Sequence, residues 1–133
     1  HIAEASRLSG QKVEDILRNP RFTAKKITEK YGCTTVLKSH KTVVCSKNEE
    51  IYTNTTGNSA LAKAGTGDIL CGMIAGFSAQ KMDAFEASSL AVHLHGRAGE
   101  LASEELTEYS VLASDLLKYI PKAIQEMLVS NLA

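Results

Sequence analysis

The apolar and polar positions of the chain alternate with two periods, which predicts both helices and strands. Three short helices are predicted near its beginning, at residues 4–8, 13–17 and 23–31. Gly10 and Gly32 supply the stop signals for the first and the third of these helices. Three apolar, β-branched runs then predict strands at 33–38, 42–45 and 51–53. We expect helix to follow strand over the rest of the chain, which makes the fold class α/β.

A helix is predicted at residues 69–79, and it contains two glycines one helical turn apart. Glycine inside a helix costs about 1 kcal/mol relative to alanine, so Gly72 and Gly76 predict a neighbouring element packed closely on this face. A longer helix should begin at Asp83, an acidic N-cap residue. Its buried stripe is predicted at Ala87, Leu90, Ala91, Leu94, Ala98 and Leu101. In the last helical region, Pro121 predicts a kink or a restart.

The turn before the helix at 69–79 reads Gly65-Thr66-Gly67-Asp68. Glycines let the backbone bring its N–H groups close to a ligand, and a helix start adds unpaired donors. Together they predict an anion site. A carboxylate at Asp68 would repel a bound phosphate, and its chemical use is to take a proton from an attacking hydroxyl. The alternative is a purely structural role, because Asp is also a favoured N-cap residue.

Composition and charge fit one globular unit of 133 residues, with 44% apolar and 23% charged positions. The formal net charge of zero gives no attraction to nucleic acid or to an anionic membrane. No apolar run approaches the length needed to span a bilayer. Cys33, Cys45 and Cys71 lack C-x-x-C spacing, which predicts reduced, mostly buried thiols, no metal site and a cytoplasmic protein.

Four further side chains allow alternative interpretations. Lys63 could reach a phosphate or face water. Lys38 ends a predicted strand, at the sheet edge where α/β proteins bind ligands, or it simply lies at the surface. His93 and His95 are two residues apart on a helix and point in different directions, so packing and hydrogen bonding are expected of them rather than metal chelation.

Residues 56–68, Thr-Gly-Asn-Ser-Ala-Leu-Ala-Lys-Ala-Gly-Thr-Gly-Asp, resemble the C-terminal motif of the ribokinase-like superfamily. Leu-His-Gly-Arg-Ala-Gly at 94–99 and Ala-Ser-Asp-Leu-Leu at 113–117 narrow the resemblance to the ADP/ATP-dependent NAD(P)H-hydrate dehydratases. This resemblance implies a three-layer sandwich with a central, mostly parallel sheet. Residues 1–133 would form the C-terminal portion of that one domain. The upstream half would supply the first strands and part of the substrate pocket.

The resemblance also implies roles for individual residues. In similar proteins the segment after the strand-end lysine contacts the adenine nucleotide, and here that segment is Lys38, Ser39, His40, Lys41 and Thr42. Ser39 departs from the family, which usually has glycine there. The glycine-rich turn is implied to bind the nucleotide through Gly65, Thr66 and Gly67. Asp68 is implied as the catalytic base beside the substrate, with His1 and Asn58 as further substrate contacts.

The reaction implied by the resemblance is the repair of hydrated NADH or NADPH. ATP or ADP would phosphorylate the hydroxyl of the damaged nicotinamide ring, and phosphate would then leave by elimination, which makes the enzyme a hydro-lyase. Mg²⁺ on the nucleotide and a homo-oligomer are also expected. Two other functions remain open. One is a small-molecule kinase of the same fold, such as a hydroxyethylthiazole or sugar kinase, and the other is a non-catalytic nucleotide-binding module.

Overall fold

The computed structural model describes residues 1–132, which form two compact units. The first unit comprises His1–Asn54 and Asp83–Ser89. The second comprises Thr55–Met82 and the chain from Leu90 onward. Within residues 1–132, no helix is both long enough and apolar enough to cross a membrane.

The first unit combines three helices with a small sheet. Its elements are α1 (Ile2–Ser9), α2 (Val13–Arg18), α3 (Pro20–Tyr31), β1 (Thr35–Leu37), β2 (Val43–Cys45) and β3 (Ile51–Thr53). The predicted stop signals are confirmed, since Gly10 and Gly32 adopt left-handed conformations with φ of 72° and 61°. At the other end of α3, the Asn19 side chain accepts a hydrogen bond of 3.1 Å from the Phe22 amide.

The three strands form an antiparallel sheet in the order β1-β2-β3. Val44 of β2 lies opposite Val36 of β1 and Tyr52 of β3. The parallel pairing expected from the resemblance is therefore not found among the described strands. The reason is local, because turns of a few residues can join only antiparallel neighbours. The expectation of further strands is wrong for the described chain, since only helices follow β3.

The core of the first unit lies between the helices and the sheet. Its buried residues are Ala5, Ile16, Ala24, Ile27, Leu37, Val43 and Cys45. A polar contact crosses this core, where the Thr28 hydroxyl bonds the Thr35 hydroxyl at 2.8 Å and the Cys45 carbonyl at 3.3 Å. Because these buried polar atoms satisfy one another, the sheet is fixed against α3 without an unpaired donor there.

The second unit is helical. Its elements are a 3-10 turn (Ser59–Leu61), α4 (Thr66–Ala79), most of α5 (Ala84–Ser110), a second 3-10 turn (Ala113–Asp115) and α6 (Leu116–Leu132). The predicted N-cap of α5 is confirmed, because Asp83 accepts hydrogen bonds from the Phe85 and Glu86 amides. Near the end of α5, Thr107 interrupts the helical backbone with φ 66° and ψ 153°. Helix α6 does not restart at Pro121 but runs through it.

Close packing in this unit occurs at different glycines from those predicted. A Cβ at Gly72 or Gly76 of α4 would meet nothing within 4 Å, so the expectation of a neighbour on that face is wrong for the described chain. A Cβ at Gly96 of α5 would instead lie 2.1 Å from the Thr56 hydroxyl oxygen. The buried core beside this contact is Ala60, Leu94, Ala98, Ala102, Val111, Leu116, Tyr119 and Ala123. The glycines of α5 thus let the segment that leads to the Gly65–Asp68 turn lie against the helix.

Candidate active site

Asp68 is the third residue of α4, and its carboxylate is exposed. Gly65 occupies the N-cap position with a φ of 88°, and the helix start has no side-chain cap. Within residues 1–132 the Asp68 side chain makes no hydrogen bond or ion pair. The capping alternative is therefore not supported, and Asp68 presents an unengaged carboxylate at the helix start.

The backbone amides of the turn divide into engaged and open donors. The amides of Asp68 and Ile69 donate to the Gly65 carbonyl at 3.1 and 3.3 Å. The Thr66 amide donates to the Lys63 carbonyl at 3.3 Å. The amides of Gly65 and Gly67 have no acceptor among the described residues. These two glycine amides, with the positive end of the α4 dipole, are suited to hold an anion.

Thr66 anchors the turn from within. It is only 2% exposed, and its hydroxyl bonds the carbonyls of Leu61 and Lys63 at 2.8 and 2.9 Å. Its own carbonyl lies 2.9 Å from the buried Nε2 of His95. The prediction of a hydrogen-bonding role for His95 is confirmed. The hydroxyl and the amide of Thr66 are already engaged, which favours a supporting role for Thr66 over direct nucleotide contact.

Lys63 takes neither of the two positions considered for it. Its ammonium group donates to the carbonyls of Glu108, Tyr109 and Val111 at 2.9, 2.8 and 2.6 Å. An ammonium has three N–H donors, so these bonds saturate it. Lys63 is therefore neither a phosphate ligand nor a solvated surface side chain in this structure.

The segment before the turn is fixed by α5. The Thr56 hydroxyl donates to the His93 carbonyl at 2.8 Å, and the Gly57 amide donates to Glu100 at 2.7 Å. Asn58 accepts from the Ala60 amide and donates to the Ser103 hydroxyl, each at 3.1 Å. The Asn58 side chain thus shapes the backbone here, and its predicted contact with substrate stays a prediction.

No role was assigned to Arg97 or Glu100 from the sequence, and the two pair with each other in the structure. Arg97 bonds Glu100 of its own helix at 3.0 Å and Glu126 of α6 at 2.7 Å. Hydrogen bonding to Arg97 lowers the pKa of Glu126, and its carboxylate partners raise the pKa of Arg97. The i,i+3 spacing of Arg97 and Glu100 is the signal that could have indicated this pair. Glu100, which accepts from the Gly57 amide, is thus linked through Arg97 to Glu126 of α6.

The predicted nucleotide segment of the first unit is the turn between β1 and β2. The Ser39 hydroxyl donates to the Lys41 carbonyl at 2.9 Å, and the Thr42 hydroxyl approaches the Ser39 carbonyl at 3.4 Å. His40 and Lys41 are exposed, and Lys38 directly follows β1. The turn is therefore ordered by its own side chains, while His40 and Lys41 remain exposed.

His1, the remaining predicted substrate contact, is the N-cap residue of α1. Its Nδ1 accepts a hydrogen bond of 3.2 Å from the Ala3 amide. The imidazole is exposed, so the cap leaves its other ring nitrogen accessible. Contact with substrate stays a prediction for His1.

The described residues contain no group of three or more His, Cys, Asp or Glu side chains that could hold a metal ion. Cys45 is buried, but Cys33 and Cys71 are exposed, so the expectation of mostly buried thiols is wrong for those two. At the start of α4, the open donors are the amides of Gly65 and Gly67, and the open acceptor is the Asp68 carboxylate.

Comparison with known proteins decides the family. A model of the NAD(P)H-hydrate dehydratases matches residues 1–122. The chain belongs to this family. It is 43% identical over 104 residues to the ADP-dependent (S)-NAD(P)H-hydrate dehydratase of Neisseria meningitidis, which covers 78% of the chain and 35% of that protein.

Solved structures confirm the ribokinase-like fold. The ADP/ATP-dependent NAD(P)H-hydrate dehydratase of Bacillus subtilis, co-crystallised with ATP and Mg²⁺ and soaked with CoA, matches with a TM-score of 0.90 at 34% identity. The match covers 95% of this chain and 47% of that one. A ribokinase-like superfamily protein of Enterococcus faecalis V583 matches with a TM-score of 0.79 at 34% identity, over 95% of this chain and 42% of that one. The chain thus spans less than half the length of each of these relatives.

Proposed function

We propose that this chain carries the catalytic turn of a nucleotide-dependent NAD(P)H-hydrate dehydratase. The observation that carries the proposal is the exposed Asp68 carboxylate, which has no partner within residues 1–132 and adjoins the open amides of Gly65 and Gly67. A base must have a free lone pair, and an anion site must have free donors. Both are present here within four consecutive residues. The family membership supports the same chemistry.

The proposed reaction begins with phosphoryl transfer. Asp68 takes the proton of the hydroxyl on the hydrated nicotinamide ring while the hydroxyl oxygen attacks the terminal phosphorus of ATP or ADP. The bond between that phosphorus and the bridging oxygen breaks, and the shortened nucleotide leaves. The amides of Gly65 and Gly67 donate to the transferring phosphoryl group, whose negative charge they stabilise.

Elimination then restores the cofactor. The carbon–oxygen bond to phosphate breaks, a proton leaves the neighbouring ring carbon, and the ring double bond forms again. Phosphate is a far better leaving group than hydroxide, so the nucleotide supplies the driving force. The products are NADH or NADPH, inorganic phosphate, and ADP or AMP.

Mg²⁺ fits this site as a companion of the nucleotide. The described residues offer no cluster of three ligands, and Mg²⁺ in such sites takes most of its ligands from phosphates and water.

We propose that the turn at Lys38–Thr42 contacts the adenine nucleotide and that His1 and Asn58 contact the substrate. We also propose that polypeptide corresponding to the other half of the relatives completes the pocket, and that the protein is a cytoplasmic homo-oligomer.

The test is Asp68→Asn in the full-length protein that contains this chain. Asparagine keeps the shape but cannot take the proton, so NADPH regeneration from its hydrate should fall by at least about 10²-fold at saturating nucleotide. Asp83→Asn is the matched control, because it removes the same charge from the start of another helix. Asparagine caps as well as aspartate, so turnover should persist.

The products separate the proposal from its alternatives. Turnover of Asp68→Asn at the wild-type rate would remove Asp68 from the chemistry. A phosphorylated product that accumulates without release of phosphate would identify a kinase of the same fold. Nucleotide binding without any turnover of the wild-type protein would indicate a binding module.

A further inference from the structure

The ammonium group of Lys63 holds the chain just after the break in α5. It meets the carbonyls of Glu108, Tyr109 and Val111 within 2.6–2.9 Å. Glu108 and Tyr109 lie in the last turn of α5, where carbonyls have no acceptor role within the helix itself, and Val111 follows the helix. Lys63 thus supplies three N–H donors, from a distant part of the sequence, to carbonyls at the end of α5.

Residues 107–111, which contain the three acceptors of Lys63, need support to keep their backbone conformation. Thr107 has φ 66° and ψ 153°, a backbone conformation that a β-branched residue rarely adopts. Such a residue persists only where its surroundings fix it. Besides Lys63, a second tie is present, since the Ser59 hydroxyl bonds the Glu108 carboxylate.

The backbone of Lys63 is joined to the anion turn. Its carbonyl accepts both the amide and the hydroxyl of Thr66, at 3.3 and 2.9 Å. Thr66 stands between Gly65 and Gly67, the two glycines whose amides are open. Lys63 therefore connects two parts of the chain. Its side chain bonds the end of α5, and its carbonyl bonds the turn that carries Asp68.

We propose that Lys63 is a positioning residue. Its three hydrogen bonds to the end of α5 set the backbone of the Gly65–Asp68 turn for phosphate binding. The effect on turnover rests on the proposed function, whereas the effect on the turn itself does not. Lys63 does not touch the reacting atoms. Its loss frees the turn and misplaces its amides and carboxylate together.

The experiment compares Lys63→Met, Lys63→Arg and the control Lys122→Met in the full-length protein that contains this chain. Methionine keeps most of the length and loses all three donors, whereas arginine keeps a cation with several donors. Lys122 is 56% exposed in its side chain and pairs with Glu105 at 3.5 Å, so its loss removes a lysine without touching the turn.

Hydrogen exchange of the peptides covering 59–70 and 107–112 is measured first. Lys63→Met should speed exchange in both segments by at least about 10-fold, the effect of losing one charged hydrogen bond. Lys63→Arg should restore much of the protection, and Lys122→Met should leave both segments unchanged. If Lys63→Met cannot be purified folded, Lys63→Gln is measured instead, because its amide offers two N–H donors in place of three on a shorter side chain. It should speed exchange in both segments by a smaller factor, and wild-type exchange in both would overturn the proposal.

Kinetics with ATP and hydrated NADPH form the second readout. Lys63→Met should lower kcat and raise the KM for ATP, each by about 10-fold, with a partial return in Lys63→Arg. Wild-type exchange at 59–70 in Lys63→Met would overturn the proposal. Faster exchange with unchanged kcat and KM would also overturn it, because the turn would then not depend on Lys63 for function. A further outcome is a wild-type protein that fails to turn over the hydrate while Lys63→Met still exchanges faster. That combination would refute the proposed function and would leave the effect of Lys63 on the turn standing.

Discussion

Gly96→Ala tests how tightly the segment before the Gly65–Asp68 turn lies against α5. A Cβ at this position would stand 2.1 Å from the Thr56 hydroxyl oxygen and 2.7 and 2.8 Å from the Thr56 carbonyl carbon and oxygen. Real Cβ atoms do not approach other atoms so closely. Because two of the three contacts are with backbone, a side-chain rotation cannot relieve them, and the segment must move.

The magnitude follows from three opposing effects. Overpacking of this kind costs about 1–3 kcal/mol. Displacing Thr56 also removes its 2.8 Å bond to the His93 carbonyl, at about 1 kcal/mol. Alanine regains about 1 kcal/mol over glycine inside a helix. We therefore expect a net loss of about 1–3 kcal/mol in the free energy of unfolding, of the size of the overpacking term itself.

Urea unfolding of the 133-residue chain measures this loss. With a slope of about 1–3 kcal/mol per molar urea, the midpoint should fall by about 1 M. Gly76→Ala is the matched control, since the new methyl would meet nothing within 4 Å and should leave the midpoint unchanged or raise it. Adding Thr56→Ala to Gly96→Ala should restore little, because the backbone contacts remain. An unchanged midpoint in Gly96→Ala would contradict the close approach.

Three further predictions concern Lys38, Glu126 and the isolated chain. Lys38→Ala should weaken AMP binding in calorimetry by about 10-fold, and an unchanged affinity would leave Lys38 a surface residue. The hydrogen bond from Arg97 holds the pKa of Glu126 below its ordinary value of 4.5, so the stability that this pair provides is present above that ordinary value and is lost as the pH falls through the lowered pKa of the folded state. Urea midpoints should thus favour the wild type over Glu126→Gln at neutral pH and converge in acid, and a constant difference would refute the shift. Residues 1–133 alone should bind ATP weakly and show no dehydratase activity, with both restored by the other half of the domain, and full activity of the isolated chain would contradict this.

Local signals in the sequence predicted the elements well. Gly10, Gly32 and Asp83 ended or began helices as predicted, because such residues act on the backbone within one turn. The turn at Gly65–Asp68 was likewise found from its glycines and from the helix that follows. These features depend on neighbours in sequence, which a single chain displays in full.

Features that depend on distant partners were not predictable. Gly76 was expected to be closely packed and faces open space, whereas Gly96 contacts a segment about forty residues away. The hydrogen-bond partners of the Lys63 ammonium were also not predicted, because its three acceptors follow it by 45 to 48 residues. Spacing shows which residues share a helix face, and only the tertiary structure shows what covers that face.

The most direct test of the central claim is a crystal structure of the full-length protein that contains this chain, with ATP and NADPH bound. NADPH is the product of the proposed reaction, so it should stay unchanged in the complex. We predict nucleotide phosphate oxygens at hydrogen-bond distance, about 3 Å, from the amides of Gly65 and Gly67, with the nicotinamide ring beside the Asp68 carboxylate. Phosphates bound elsewhere, or a nicotinamide away from Asp68, would contradict the assignment of this turn as the catalytic site.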